Sequence, residues 1–271
     1  MSKAQKPSEA KVEEQETLTS KEIFEIIRRD GVEELERPNG SLLWSGIAAG
    51  VLISLSVLGE AIFRTYLPDA EWSYLVENLG YSFGFLVVIL GRMQLFTENT
   101  ITTVLPVMHQ PSAQLLKRSA ALWGIVLLAN VIGAFAVAIA WAYTSMIPPA
   151  LIPAITSLSE HATGFPPFEA FQRAIPAGVL VAAIVWMMPD TEGFGFFIIV
   201  AFTWLIAAGD FTHIIAGSVE MAFLLVQGLL PLSDALFSFF LPVLAGNVLG
   251  GTAIFALLAF GQVRRELKVD D

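Results

Sequence analysis

Apolar positions gather into six long runs separated by short polar breaks. From Ser41 to Phe63 Glu60 is the single charged residue. From Gly80 to His109 an apolar stretch is broken near its middle by Gly91-Arg92 and Glu98-Asn99. Leu115 to Tyr143 is a third run, with Lys117 and Arg118 at its start. Ala170 to Met188 is the fourth, opened by Arg173 and closed by Pro189-Asp190. Gly193 to Gly228 is a fifth, interrupted by Gly209-Asp210 and His213, and Ala235 to Gln262 is a sixth, stopped by Arg264 and Arg265. About 20 apolar helical residues cross a bilayer, so each run is long enough to span. The pattern predicts an all-α polytopic membrane protein with a six-span domain over residues 41–263.

The amino-terminal end is polar. Residues 1–40 hold 7 of the 15 basic and 10 of the 25 acidic residues. Residues 1–20 are too poor in apolar side chains to fold and are expected to be a disordered cytoplasmic tail. They lack the charged start, apolar core and small-residue cleavage site of a secretory signal. Over residues 21–40, Ile23, Ile26, Ile27 and Leu35 fall near helical spacing with charge on the other face, which predicts a short amphipathic helix on the membrane surface. Ser20 is its expected cap, and Pro38, Asn39 and Gly40 its stop. Residues 264–271 read as a second cytoplasmic tail.

Composition narrows the chemistry. The chain of 271 residues is 55% hydrophobic and 15% charged, carries a net charge of −10 and contains no cysteine. An acidic balance argues against a nucleic-acid partner, because phosphate contacts need a local excess of Lys and Arg. Without cysteine there is no disulfide framework, thiolate chemistry or cysteine-bound metal. Three histidines, His109, His161 and His213, leave little for a metal site, and neither a metal nor another cofactor is expected.

Basic residues orient the spans. With the amino terminus inside, the inner segments carry 12 Lys and Arg, whereas the outer connections carry only Arg64. Both termini are therefore expected in the cytoplasm. The two halves of the chain also resemble each other. Ala49-Gly50-Val51-Leu52 matches Ala177-Gly178-Val179-Leu180, Phe96-Thr97-Glu98 matches Phe211-Thr212-His213, and Asn130-Val131-Ile132-Gly133 matches Asn247-Val248-Leu249-Gly250. Three collinear matches predict two inverted three-helix repeats with broken second and fifth helices, whose half-helices begin near Phe96 and Phe211. Gly50, Gly124, Gly133, Gly178, Gly246, Gly250 and Gly251 would allow close helix packing.

Polar residues at membrane depth are candidates for a substrate path. His213 is the sharpest, since an imidazole can donate a hydrogen bond and exchange a proton near neutral pH. Thr97 and Thr212 could orient it, bridge to a solute, or satisfy carbonyls freed by the breaks. In the repeat alignment Glu98 takes the place of His213, with Arg92 as its charge partner or His213 itself across the pseudo-twofold. Asp210 reads as a cap for the second half-helix. Glu60 and Glu220 lie near predicted span ends, where solvent exposure explains them. Leu95, Phe96, Phe202 and Phe211 are candidates for an apolar lining, and Asn130 and Asn247 for hydrogen bonds between helices.

At these residues the sequence resembles the formate/nitrite transporter family. Leu95-Phe96-Thr97-Glu98-Asn99 is similar to the family's L-F-T-G-N loop, Asp210-Phe211-Thr212-His213 to its fifth-helix break, and Asn247-Val248-Leu249-Gly250-Gly251 to its N-x-x-G-G pattern. The resemblance covers roughly residues 20–265 and implies an aquaporin-like fold, a homopentamer in the bacterial inner membrane, and one pore per protomer for small monovalent anions such as formate or nitrite. It also implies that His213 sits at the pore centre between apolar constrictions. Three departures point to a divergent branch. Glu98 replaces the loop glycine, Gly178 stands where the fourth helix usually carries an asparagine, and residues 144–172 hold no lysine for a cationic vestibule. The leading expectation is a pore, not an enzyme, that moves small anions or their protonated acids past His213. Passage of cations or neutral solutes because of Glu98, a non-conducting membrane scaffold, and a hydrolase using Glu98, Asp210 and His213 are the alternatives.

Overall fold

The computed structural model describes residues 17–191 and 193–267, and the expectations for the outermost tail residues lie outside them. Helices account for every regular element among the described residues. In chain order they are α1 (Ser20–Glu36), α2 (Asn39–Tyr66), α3 (Ser73–Leu90), α4 (Phe96–Thr102), α5 (Val104–His109), α6 (Ala113–Tyr143), α7 (Ile152–Thr163), α8 (Pro167–Asp190), α9 (Gly195–Ala208), α10 (Ile214–Val226) and α11 (Leu232–Leu267). Five of them, α2, α3, α6, α8 and α11, are long and apolar enough to cross a membrane. The apolar run over 193–228 is two shorter helices, α9 and α10. Hydropathy alone also starts the second run late: its helix begins at Ser73.

Both expected breaks are present, and the same backbone device makes them. α3 ends at Gly91 with Arg92 in the left-handed region (φ 50°), and α9 ends at Gly209 with Asp210 there (φ 56°). The Met93 N–H reaches back to Val88 O and the Phe211 N–H to Ile206 O, which closes two Schellman ends. A non-glycine residue in this conformation costs roughly 1–2 kcal/mol, so each stop is held by its surroundings.

Glycines set how closely the helices approach. A Cβ on Gly50 would lie 2.1 Å from the carbonyl oxygen of Asn130, and one on Gly178 2.3 Å from that of Asn247. Gly178 thus packs α8 against α11 and lines neither cavity described below. Gly133 and Gly250 meet Ile47 O and Ile175 O in the same manner. Gly124 differs from the expectation: it is exposed, and a Cβ there would meet nothing.

α1 is more than a surface helix. Its cap is Thr19 rather than Ser20, in a capping box with Glu22. Ser20 instead accepts a hydrogen bond from Gln262 Nε2 at 2.8 Å. The buried face is Phe24, Ile27 and Gly31, which shares Ile27 with the expected stripe but replaces its other members, because Gly31 lets the helix touch α4 and α5. Phe24 and Ile27 pack with Ile101, Leu105, Ala182, Ala256 and Val263. On the polar face, Arg28 beside Glu25 holds its carboxyl down at about 2. Pro38 separates α1 from α2, but Asn39 and Gly40 begin the next helix instead of ending the first.

The glycine contacts give a direct test. Gly50→Val or Gly178→Val must push two helices apart and is expected to lower the melting temperature sharply or prevent assembly. Gly124→Ala is expected to add about 0.5–1 kcal/mol, the usual gain on replacing a helical glycine. Thermal unfolding of the purified protein in detergent distinguishes them.

Candidate functional site

Asn130 on α6 and Asn247 on α11 hold the two breaks in equivalent ways. Asn130 Oδ1 accepts from Phe96 N (2.9 Å), while its Nδ2 donates to Gly46 O and Gln94 O (both 2.8 Å). Asn247 Oδ1 accepts from Ile214 N (2.8 Å), and its Nδ2 donates to Ala174 O (2.7 Å) and Thr212 O (3.0 Å). Each amide therefore satisfies one N–H and one carbonyl freed by a break, and ties them to a carbonyl of a neighbouring helix, Gly46 O on α2 or Ala174 O on α8.

These bonds set a different register from the tripeptide match. Phe96 corresponds to Ile214, so Leu95 corresponds to His213 and Glu98 to Ala216. Leu95 and His213 both cap their half-helices with extended backbone. The alignment of Phe96-Thr97-Glu98 with Phe211-Thr212-His213 is thus displaced by three residues, and Glu98 is not the counterpart of His213. The other two matches keep their register, since Gly50 meets Asn130 and Gly178 meets Asn247.

His213 is buried and caps α10 through Nδ1, which accepts from Ala216 N at 3.3 Å. An accepting Nδ1 in a neutral ring places the proton on Nε2. Nε2 therefore donates to Thr97 Oγ1, 2.8 Å away, and leaves the threonine O–H free to donate to a third group. Phe85 packs its ring edge-to-face with the imidazole at 5.0 Å between centroids. The pair joins the two broken segments across the middle of the bundle.

A cavity opens on each side. The first, about 230 Å³, is lined by Phe211, Thr212 and His213, by Glu60 and Arg64 near the end of α2, and by Tyr74, Glu77 and Tyr81 near the start of α3. The second, about 350 Å³, lies at the other end of α3, against Ile89, Arg92, Leu95, Glu98 and the α1 residues Ile27, Asp30 and Glu34. Along α3 the two linings approach to Tyr81 and Ile89, eight residues apart, or about 12 Å at the helical rise.

The remaining candidates divide. Glu98 is half-buried in the second cavity and, among the described residues, pairs with neither Arg92 nor His213. Thr212 does not orient the histidine; its hydroxyl donates to Ala170 O at 3.0 Å. Asp210 is no cap. It pairs with Arg173 at 2.8 Å and with His161 at 2.7 Å, anchoring the break to α8 and α7. Phe96 packs edge-on to Trp123 at 5.7 Å and Phe202 packs on the core, both away from the cavities.

Among the cavity residues that sequence reasoning did not place there are Glu60, Glu77, Tyr81 and Glu220. Glu60 and Glu220 are buried, 6% and 7% exposed, rather than solvated at span ends. The broken fifth segment places α10 in the interior, where every residue from Ile214 to Leu224 is buried. An acid within such an uninterrupted apolar run was the available signal.

The formate/nitrite transporter family model matches residues 21–261. The chain belongs to the formate/nitrite transporter family. This family member is 45% identical over 245 residues to the inner membrane protein YfdC of Escherichia coli (strain K12), across 90% of this chain and 79% of that protein. It is 29% identical over 179 residues to the formate channel FocA of Haemophilus influenzae, covering 64% of this chain and 62% of FocA. Its fold matches a solved FNT family ion channel with a TM-score of 0.74 at 20% identity, over 89% of this chain and 98% of that one. A pentameric formate channel with formate bound matches with a TM-score of 0.70 at 18% identity, over 84% and 98%. Transport, not enzymatic turnover, is the business of this family. The hydrolase alternative also lacks its constellation, because Asp210 is committed to Arg173 and Glu98 lies in the other cavity from His213.

Replacing Asn130 or Asn247 by Ala strands one N–H and one carbonyl at a break and removes the tie to a neighbouring helix. At about 1–3 kcal/mol per unsatisfied buried group, either change is expected to cost at least several kcal/mol. Thermal unfolding in detergent checks this.

Proposed function

We propose that this chain forms a channel for small monocarboxylic or similar weak acids, which cross between the two cavities past His213 and Thr97 mainly in their uncharged form. The supporting observation is the His213–Thr97 hydrogen bond, in which His213 lines the first cavity and Thr97 precedes Glu98, which lines the second. The Thr97 O–H and the amino-terminal end of α10 offer hydrogen bonding and partial positive charge to an acid's oxygens. The cavities themselves are acidic. Arg64, the arginine lining the first, is held by Glu77 at 2.6 Å, and Glu98 faces the second without an ion-pair partner among the described residues. An anion pays for that field, whereas its protonated form does not.

In this reading residues 41–263 are six crossings in two inverted halves, the second and fifth broken, and residues 21–40 lie in the cytoplasm with both termini. The equivalent bonding of Asn130 and Asn247 supports the repeat, and the excess of basic residues on the α1 side supports the orientation. The second cavity is then cytoplasmic. Leu95 and Phe211, which line opposite cavities, are the narrowing apolar residues, and Phe96, Phe202, Gly178, Asn130 and Asn247 support them. The assembly is a homopentamer in the inner membrane, in contact with lipid, a reading supported by the likeness to a pentameric channel and to YfdC. Passage of monovalent cations is a second reading, favoured by the same acidic cavities.

Liposome flux assays test the proposal. Formate and nitrite uptake is expected to rise as the pH falls, and His213→Phe to abolish it; a variant matching the parent removes His213 from the mechanism. Glu98→Gly is expected to raise formate or nitrite flux severalfold near neutral pH. Flux of Na⁺ or K⁺ exceeding that of the acids would establish the second reading instead.

A further inference from the structure

The first cavity holds more acid than its bases neutralise. Four carboxyl groups line it, those of Glu60, Glu77, Asp210 and Glu220. Glu77 is paired with Arg64, and Asp210 with Arg173 and His161. Glu60 and Glu220 are more than nine-tenths buried, come from the packed helices α2 and α10, and make no ion pair or side-chain hydrogen bond among the described residues. Arg64, one turn from Glu60, is spent on Glu77 and Ser157. His213 lines the same cavity, but its proton is directed at Thr97.

Two unpaired carboxylates facing one small cavity walled by protein repel each other, and each is costly to bury as an ion. A single positive charge between them relieves both costs. Neutral oxygens stand beside them. Tyr81 supplies a phenol, and Asn78 an amide oxygen, its nitrogen being used on Tyr74 O at 2.7 Å. No group of three or more acidic, histidine or cysteine side chains is placed to cage a divalent metal among the described residues. Charge and ligand count therefore fit one monovalent positive charge.

We propose that Glu60 and Glu220 form a second site of the pore, a carboxyl pair holding one exchangeable proton or small monovalent cation in the cavity leading to His213. Its role in transport rests on the channel reading above. An arriving carboxylate takes the proton and continues as the neutral acid, leaving a glutamate carboxylate that regains its proton from the adjoining solution. Proton and charge balance, and the solute reaches the His213–Thr97 pair already uncharged.

The test reads the site without transport. Infrared spectra of the purified full-length protein in lipid at neutral pH follow the C=O stretch of protonated carboxyl groups. With a proton in the site, a band is expected that E60Q/E220Q loses and that replacing Na⁺ and K⁺ by N-methyl-D-glucamine leaves unchanged. With an alkali ion there, the band appears only after that replacement and again is lost in E60Q/E220Q. The single variants E60Q and E220Q, which keep one carboxyl each, are expected to shift the band because the shared proton loses a partner. Spectra unchanged by all three variants in both media would overturn the proposal. His213→Phe is expected to keep the band, so a failure of the channel reading and a failure of this site give different results.

Discussion

A helix broken inside an apolar bundle exposes backbone N–H and C=O groups that lipid cannot satisfy, and the centre of this protein is arranged around meeting that demand. Asn130 and Asn247 do so in the same way, each accepting from one freed N–H and donating to one freed carbonyl, with a further donated bond to a neighbouring helix. The asparagines must reach the breaks from neighbouring helices, which requires backbones in near contact. Gly50 and Gly178 provide that contact on the helices facing them. With the breaks held, His213 and Leu95 become the first residues before two half-helices, and the hydrogen bond from His213 to Thr97 can span the molecule's middle.

Charge is distributed with similar economy. Some acids are matched to bases, as in Glu25 with Arg28 on α1 and Glu77 with Arg64 in the first cavity. Three of the acids facing the cavities, Glu98 on one side and Glu60 with Glu220 on the other, have no ion-pair partner among the described residues. Unpaired acids raise the cost of a passing anion and leave that of a neutral acid unchanged, which is the electrostatic basis of the channel proposed above. α1 belongs to the same design. Gly31 and the buried Phe24 and Ile27 seat it against α4, α5 and α11, where its Glu34 carboxylate accepts a hydrogen bond from Gln94 at 2.6 Å, next to the first break.

Much of this was legible from residue order. The two interruptions, the glycine-and-asparagine matches and the singular position of His213 all follow from hydropathy and local identity. The errors share one cause. The Phe-Thr tripeptides looked equivalent because they are alike, yet the asparagine bonds place them three residues apart. Asp210 looked like a cap because it precedes a helix, yet Arg173 and His161 claim it. Glu60 and Glu220 looked solvated because they stood near run ends, yet the broken fifth segment carries α10 inside.

By itself, the sequence determined the class of the molecule, the number and positions of its apolar runs, the places where they break and the residue types that hold them. Those properties depend on local composition and on the free energy of placing a stretch of chain in lipid. Tertiary structure alone decided which polar groups meet: that Thr97 answers His213, that Glu98 answers neither candidate partner, and that two glutamates 160 residues apart share a cavity. Hydrogen bonds and charge pairs act over a few ångströms. Their partners are therefore set by helix register and close glycine contacts, which a linear pattern of apolar and polar positions does not contain.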